Sequence, residues 1–233
     1  MGWAHRCRGP SGWTALTPAE DAEAFLRGHT ALSAAAIVPE IPLYLATEIT
    51  PIWQATEAWL RETGIEPPFW AFAWPGSQAM ARIILDRPEL VAGKRVLDFA
   101  AGCGLAAIAC ARAGAASVEA AEIDPLAIAA TRLNAAENGV SIIAETRDVV
   151  GDACRWDLIL CGDVCYEAPM TGHIMPWLRA MVTAGAEVWV ADPGRAYLPR
   201  EGMTVIDHMT VPTTLELEDR QERPVTVFRL EAA

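Results

Sequence analysis

The sequence predicts an α/β fold: a mostly parallel sheet of seven strands with helices on both faces, closed by a C-terminal antiparallel hairpin. Three observations carry this reading. From residue 95 to residue 191 short apolar runs alternate with longer small-residue or amphipathic runs, the rhythm of repeated strand–helix units. The run Asp98-Phe-Ala-Ala-Gly-Cys-Gly104 puts two glycines at a strand-to-helix turn, where unpaired backbone N–H groups can face a ligand. Glu122 follows Gly102 by 20 residues, the place where a βαβ unit sets an acid against the two hydroxyls of a ribose. With 233 residues, 52% of them apolar, the chain is long enough for one sizeable core of this kind.

Taken in order, residues 1–16 carry Gly2, Gly9, Pro10 and Gly12 and predict a loose terminus. Thr17-Pro18-Ala19-Glu20 has capping-box spacing with proline at the first helical position, so a helix is expected to about Gly28. A second apolar helix or turn is expected over Thr30–Ala36, an irregular link around Pro39 and Pro42, and a short extended piece from Leu43 to Ala46. Thr50-Pro51 opens a further helix to Gly64, with Ile52, Trp53 and Trp59 near one face. Residues 1–65 therefore read as an N-terminal helical extension, and residues 66–233 as the ligand-binding domain.

Aromatics at residues 70, 72 and 74 suggest an extended stretch broken by Pro75. Trp70 and Phe72 read as a lid on the core, and Trp74, just before Pro-Gly, as a wall of the pocket. A helix from Ser77 to Leu85 leads to the first strand at Val96-Leu97. Beyond the glycine turn, Leu105 onward is small and aliphatic, suiting a buried helix. Further strands are expected at 116–123, 140–145, 156–161 and 187–191, with helices at 124–138 and 170–184 between them. Met203–Met209 and Val225–Leu230 form the closing hairpin, joined by the charged stretch Glu216–Arg223.

Composition narrows the chemistry. A net charge of −12 argues against a nucleic-acid backbone as partner. The six cysteines form no C-x-x-C pair and no regular framework, so they read as reduced thiols in a cytoplasmic enzyme. Cys161, Cys165 and His173 fit no usual zinc spacing. No apolar run reaches membrane-spanning length, and the N-terminus has no apolar signal core. At the turn itself, Asp98 would repel a pyrophosphate but suit the cationic amino-acid end of S-adenosylmethionine. The missing third glycine also counts against a nicotinamide cofactor.

The strand order, the Asp98-x-Ala-x-Gly-x-Gly turn and Glu122 together resemble the seven-strand, Rossmann-like S-adenosylmethionine-dependent methyltransferase family over about residues 66 to 230. Trp74-Pro75-Gly76, the Asp98-to-Leu105 run and Asp163-Val-Cys-Tyr166 after the fourth strand are similar to one branch, the protein-lysine methyltransferases with a D-x-x-Y signature, and within it resemble a bacterial form of the electron transfer flavoprotein beta subunit lysine methyltransferases. Ala100, where many members carry glycine, is a departure.

The resemblance implies S-adenosyl-L-methionine as cofactor. It implies contacts to that cofactor from Trp74, Asp98, Ala100, Gly102 and Gly104 before the helix, and from Glu122, Ile123, Asp148 and Asp163 beyond it. Asp163 would also orient the substrate amine, with Tyr166 as a wall or hydroxyl beside it. The implied partner is the electron transfer flavoprotein beta subunit, met by a monomer with no nucleic acid, membrane or metal. Ribosomal protein lysines, a small-molecule amine, or cofactor binding without catalysis are the alternatives.

Overall fold

The computed structural model describes residues 20–47, 68–214 and 218–232. The expected loose terminus, the Thr17–Ala19 cap and the helix over 50–64 lie outside these residues. The chain opens on α1 (Glu20–His29), followed by a two-stranded antiparallel ribbon of β1 (Ala31–Ala35) and β2 (Val38–Leu45). This corrects the helix or turn expected over Thr30–Ala36 and the irregular link after it. Pro39 and Pro42 fit inside β2 because each strand of a two-stranded ribbon keeps one edge free of ladder hydrogen bonds.

The stretch expected to be extended begins instead as a 3-10 turn at Phe69–Ala71, closed by the Ala71 N–H donating to the Pro68 carbonyl (2.9 Å). From Phe72 to Trp74 the backbone is extended, and Pro75 starts α2 (Pro75–Asp86) where a missing N–H costs nothing. Then come β3 (Arg95–Phe99), α3 (Leu105–Arg112), β4 (Ser117–Glu122), α4 (Pro125–Glu137), β5 (Ile143–Thr146) and β6 (Leu158–Gly162). The chain closes with α5 (Ala168–Thr183), β7 (Glu187–Asp192), β8 (Met203–Pro212) and β9 (Glu222–Leu230).

The seven-stranded sheet runs β5-β4-β3-β6-β7-β9-β8. Its first five strands are parallel, and β9 enters antiparallel to both β7 and β8. Alternation along each strand feeds two cores. Val96, Leu158, Leu160, Trp189 and Ala191 face α2, α3 and the β1–β2 ribbon. Leu97, Phe99, Ile159, Cys161, Val188 and Val190 face α5. Strand order reverses between β3 and β6, so a crevice opens at their carboxyl ends, the usual ligand position of an open α/β sheet.

The N-terminal ribbon is fastened to the helices that border this crevice. Buried Asn134 of α4 accepts from the Tyr44 N–H (2.7 Å) and donates to the Cys103 carbonyl (2.9 Å) inside the glycine turn. Asn138 donates to the Pro42 carbonyl (2.7 Å), and Arg112 to the Glu40 carbonyl (2.7 Å). Trp70, buried against Leu26 of α1 and Leu133 of α4, acts as the expected lid. Among the described residues no helix is long and apolar enough to cross a membrane.

Candidate active site at the carboxyl edge of the sheet

The turn after β3 is built from left-handed backbone. Ala100 (φ 55°), Gly102 (φ 53°) and Gly104 (φ 79°) all have positive φ. Gly104 has two reasons to be glycine: its φ, and the fact that a Cβ there would come within 2.9 Å of the Thr131 side chain. Ala100 holds the same conformation with a Cβ, a strain on the order of 1–2 kcal/mol that glycine would not carry. The turn delivers the N-terminus of α3 to the crevice.

Asp98 braces this turn from beneath. It is only 3% exposed, and its carboxylate accepts the Ala107 N–H in the first turn of α3 (2.9 Å). Burial pushes its carboxyl up to about 8, against the opposing pull of that N–H. A carboxyl raised on folding stabilises the native state fully below its ordinary value near 4, and that contribution is lost as pH rises through about 8. Asp98→Asn is therefore expected to reduce the fall in stability of the unliganded protein between about pH 4 and 8. Denaturant melts across that range check it. An unchanged pH dependence would mean that Asp98 is ionised in the folded protein.

Glu122 ends β4 facing the turn. One carboxylate oxygen accepts the Ile123 N–H (2.8 Å) and the other lies 3.3 Å from the Gly102 nitrogen. Burial raises its pKa, partly offset by these N–H donors. Ile123 beside it is 73% exposed. Asp124 does what its position predicts, capping α4 through the Leu126 N–H (2.8 Å). Asp148, on the loop after β5, spends one oxygen on the Val150 N–H (2.9 Å) and the other on His173 Nε2 of α5 (2.8 Å).

On the far side of the crevice, Asp163 follows β6 in a left-handed conformation (φ 56°), which aspartate tolerates better than most side chains. Both carboxylate oxygens have partners. Oδ2 accepts the Gly76 N–H in the first turn of α2 (2.5 Å), and Oδ1 accepts from the Arg195 guanidinium (2.8 Å). Burial, which leaves 7% of the residue exposed, raises its pKa to about 6, with Arg195 and the Gly76 N–H pulling the other way. The close approach depends on Gly76, since a Cβ there would sit 2.6 Å from both the Ala191 carbonyl oxygen and Asp163 Oδ2.

Aromatic side chains wall this side. The Trp74 indole N–H donates to the Phe69 carbonyl (2.8 Å), and its ring meets those of Phe69 (5.8 Å) and Phe72 (6.0 Å). Tyr166 packs on Phe69 with centroids 5.6 Å apart, and both rings remain over a third exposed. Arg195 lies over the Trp74 ring at 5.9 Å, at the outer limit of a cation–π contact.

Three residues of this site were not read from the sequence. Gly76 stood in a quoted motif without a role, Arg195 was given none, and Glu218 lay in the charged stretch expected to join the last two strands. Glu218 is instead 3% exposed and pairs with Arg195 (2.5 Å) and Arg223 (2.8 Å). Its only sequence signal is a carboxylate followed within five residues by Arg220 and Arg223 in the connection between the last two strands.

The model of ribosomal protein L11 methyltransferase (PrmA) matches residues 80–163, the segment holding the glycine turn, Glu122 and Asp163. The electron transfer flavoprotein beta subunit lysine methyltransferase of Danio rerio is 34% identical over 209 residues, 86% of this chain and 80% of that protein. The Xenopus laevis protein of the same name is 39% identical over 77% of this chain and 73% of its own length. The chain belongs to the electron transfer flavoprotein beta subunit lysine methyltransferase family. A Pyrococcus horikoshii structure described as an RNA methyltransferase shares the fold at a TM-score of 0.53 and 18% identity, covering 71% of this chain and 91% of that one.

In this family the cofactor is S-adenosylmethionine, which supplies an electrophilic methyl group on a sulfonium sulfur. The residues present suit such a group: a glycine turn that leaves the crevice open, an acid with hydrogen-bonding capacity at the β4 end, and a second acid across the strand reversal. Within that frame, Glu122→Gln is expected to weaken cofactor binding about tenfold through loss of charge-assisted hydrogen bonds, measurable by calorimetry. Unchanged affinity would mean that Glu122 takes no part in holding the cofactor.

Proposed function

We propose that this chain transfers methyl groups from S-adenosylmethionine to lysine side chains of the electron transfer flavoprotein beta subunit. The observation that carries the proposal is identity of 34–39% to proteins named for that activity, extending over 77–86% of the chain. The PrmA match covers only the cofactor half, so it speaks for the donor and less for the acceptor.

On this reading Gly102, Gly104, Ala100 and Asp98 form and brace the cofactor turn. Glu122 takes the ribose hydroxyls, and Ile123 and Asp148 border the adenine. Trp74 and Asp163 complete the pocket toward the acceptor, with Asp163 and Tyr166 placing the substrate amine. An in-line attack needs a neutral amine held about 3–3.5 Å from the methyl carbon, whereas free lysine has a pKa near ~10.4. Positioning is thus the main task of the Asp163 side, and the proton leaves to solvent as the amine binds. A net charge of −12 on the enzyme suits a basic, lysine-bearing patch on the partner, met by a cytoplasmic monomer.

The test is transfer from tritiated S-adenosylmethionine into a lysate of a strain lacking the gene, with labelled proteins identified by mass spectrometry. The expected label is on the flavoprotein beta subunit. Label on ribosomal protein L11 instead would replace the substrate. Self-labelling is a small concern, since Lys94 is the only lysine in the chain, its ammonium pairing with Glu187 (3.2 Å).

A further inference from the structure

A carboxylate beside the acceptor poses a problem for the proposed reaction. Alone, it would favour the ammonium form of the lysine and so oppose formation of the nucleophile. The surroundings of Asp163 address this. Its Oδ1 accepts from the Arg195 guanidinium (2.8 Å), and its Oδ2 faces the partial positive charge of the α2 N-terminus through Gly76 (2.5 Å). Arg195 is itself fixed on three sides. Glu218 holds the guanidinium (2.5 Å), Asp192 Oδ1 accepts the Arg195 backbone N–H (2.6 Å), and the Trp74 ring lies below.

We propose that Arg195 is a positioning residue that offsets the charge of Asp163, so that an acceptor lysine is oriented there as the free amine. This rests on the reading of the site as a lysine methyltransferase site. Arg195 acts through Asp163 and stays outside the reacting atoms. It is held where a substrate ammonium would otherwise find its two natural partners, a carboxylate and an aromatic face.

The charged and titratable groups around the pair are Asp192 at the end of β7, Glu218 and Arg223 from the β8–β9 connection and β9, and Cys165 and Tyr166 on the loop after Asp163. The first turn of α2 contributes no acid. Asp163 and Glu218 thus share the Arg195 guanidinium, Glu218 also takes that of Arg223, and buried Asp192 holds the Arg195 backbone, so loss of the Arg195 side chain leaves Asp163 without its paired cation.

The test is the pH–rate profile of methyl transfer to purified electron transfer flavoprotein at saturating S-adenosylmethionine, with cofactor affinity measured in parallel. In Arg195→Gln the limb along which the rate rises with pH is expected to move up by about 1 unit, since a neighbouring opposite charge shifts a pKa by roughly 1–3 units. Arg195→Lys keeps the charge and should keep the limb in place. The isosteric Glu218→Gln, which removes one negative charge from the same cluster, should move it down.

Opposite shifts from the two charge changes are not expected of a merely structural latch. Equal rate losses at every pH, with the limb fixed in both Arg195→Gln and Glu218→Gln, would overturn the inference. If Arg195→Gln does not fold, Glu218→Gln decides by the direction of its shift. Absence of transfer by the wild-type enzyme would overturn the functional reading, and this inference with it.

Discussion

Replacing Asp163 with alanine is expected to lower methyl transfer by about 100-fold or more while leaving S-adenosylmethionine affinity within about threefold. The carboxylate touches the first turn of α2 and Arg195, whereas the glycine turn and Glu122 lie across the strand reversal. Without it, the Gly76 N–H and one face of the guanidinium lose their acceptor, and the acceptor side of the crevice loses the group that would orient the amine. A displacement of about 1 Å in a reacting group can by itself cost on the order of 10²-fold. Single-turnover kinetics beside calorimetric cofactor binding separate the two effects. Equal loss of both would make Asp163 part of the cofactor site alone.

The second large effect is on stability. Glu218 is nearly inaccessible and accepts from two guanidiniums, Arg195 and Arg223, each about a fifth exposed. It also receives a second Arg195 nitrogen at 3.2 Å. Glu218→Ala leaves both cations without this partner, which for a buried pair costs about 3 kcal/mol. For a chain of this length that corresponds to a Tm lower by about 6–12 °C. A thermal melt checks it, and a fall under about 2 °C would mean that solvent replaces the carboxylate without loss. Because Arg195 then loses its main restraint, transfer should fall as well, in proportion to how far the guanidinium leaves Asp163.

Most of the sheet could be read from residue pattern alone because its central parallel strands β3, β6 and β7 are buried on both faces and the parallel strands are separated by helices with recognisable starts. Asp124-Pro125 announces α4, and Gly102 and Gly104 mark the turn after β3. The β1–β2 ribbon was missed for a physical reason. Proline is a breaker in a central strand, but Pro39 and Pro42 sit in a strand with an unpaired edge, and sequence carries no direct mark of which edge is free. The aromatic stretch was misread in its first turn because alternation at residues 70, 72 and 74 survives a short 3-10 turn followed by extended backbone.

The site divides in the same way. Asp98, Gly102, Gly104 and Glu122 belong to one βαβ unit, so their spacing along the chain encodes their meeting in space. Asp163 meets Gly76 across 87 residues and Arg195 across 32, through the packing of α2 against β6 and β7. Contacts of that kind leave no periodic trace. Glu218 shows the limit most clearly: in sequence it is one acid among several charges, and in the fold it is a buried counterion. Asp98 shows the reverse case, where the right residue was found but much of its work is to brace α3 from beneath the turn.

The most direct test of the account is intact-mass and peptide mass spectrometry of purified electron transfer flavoprotein after incubation with S-adenosylmethionine and either wild-type enzyme or Asp163→Asn. Methyl groups are expected on lysine side chains of the beta subunit with the wild-type enzyme, and almost none with the variant at unchanged cofactor binding. A beta subunit left unmodified by the wild-type enzyme, with S-adenosylmethionine bound, would contradict it.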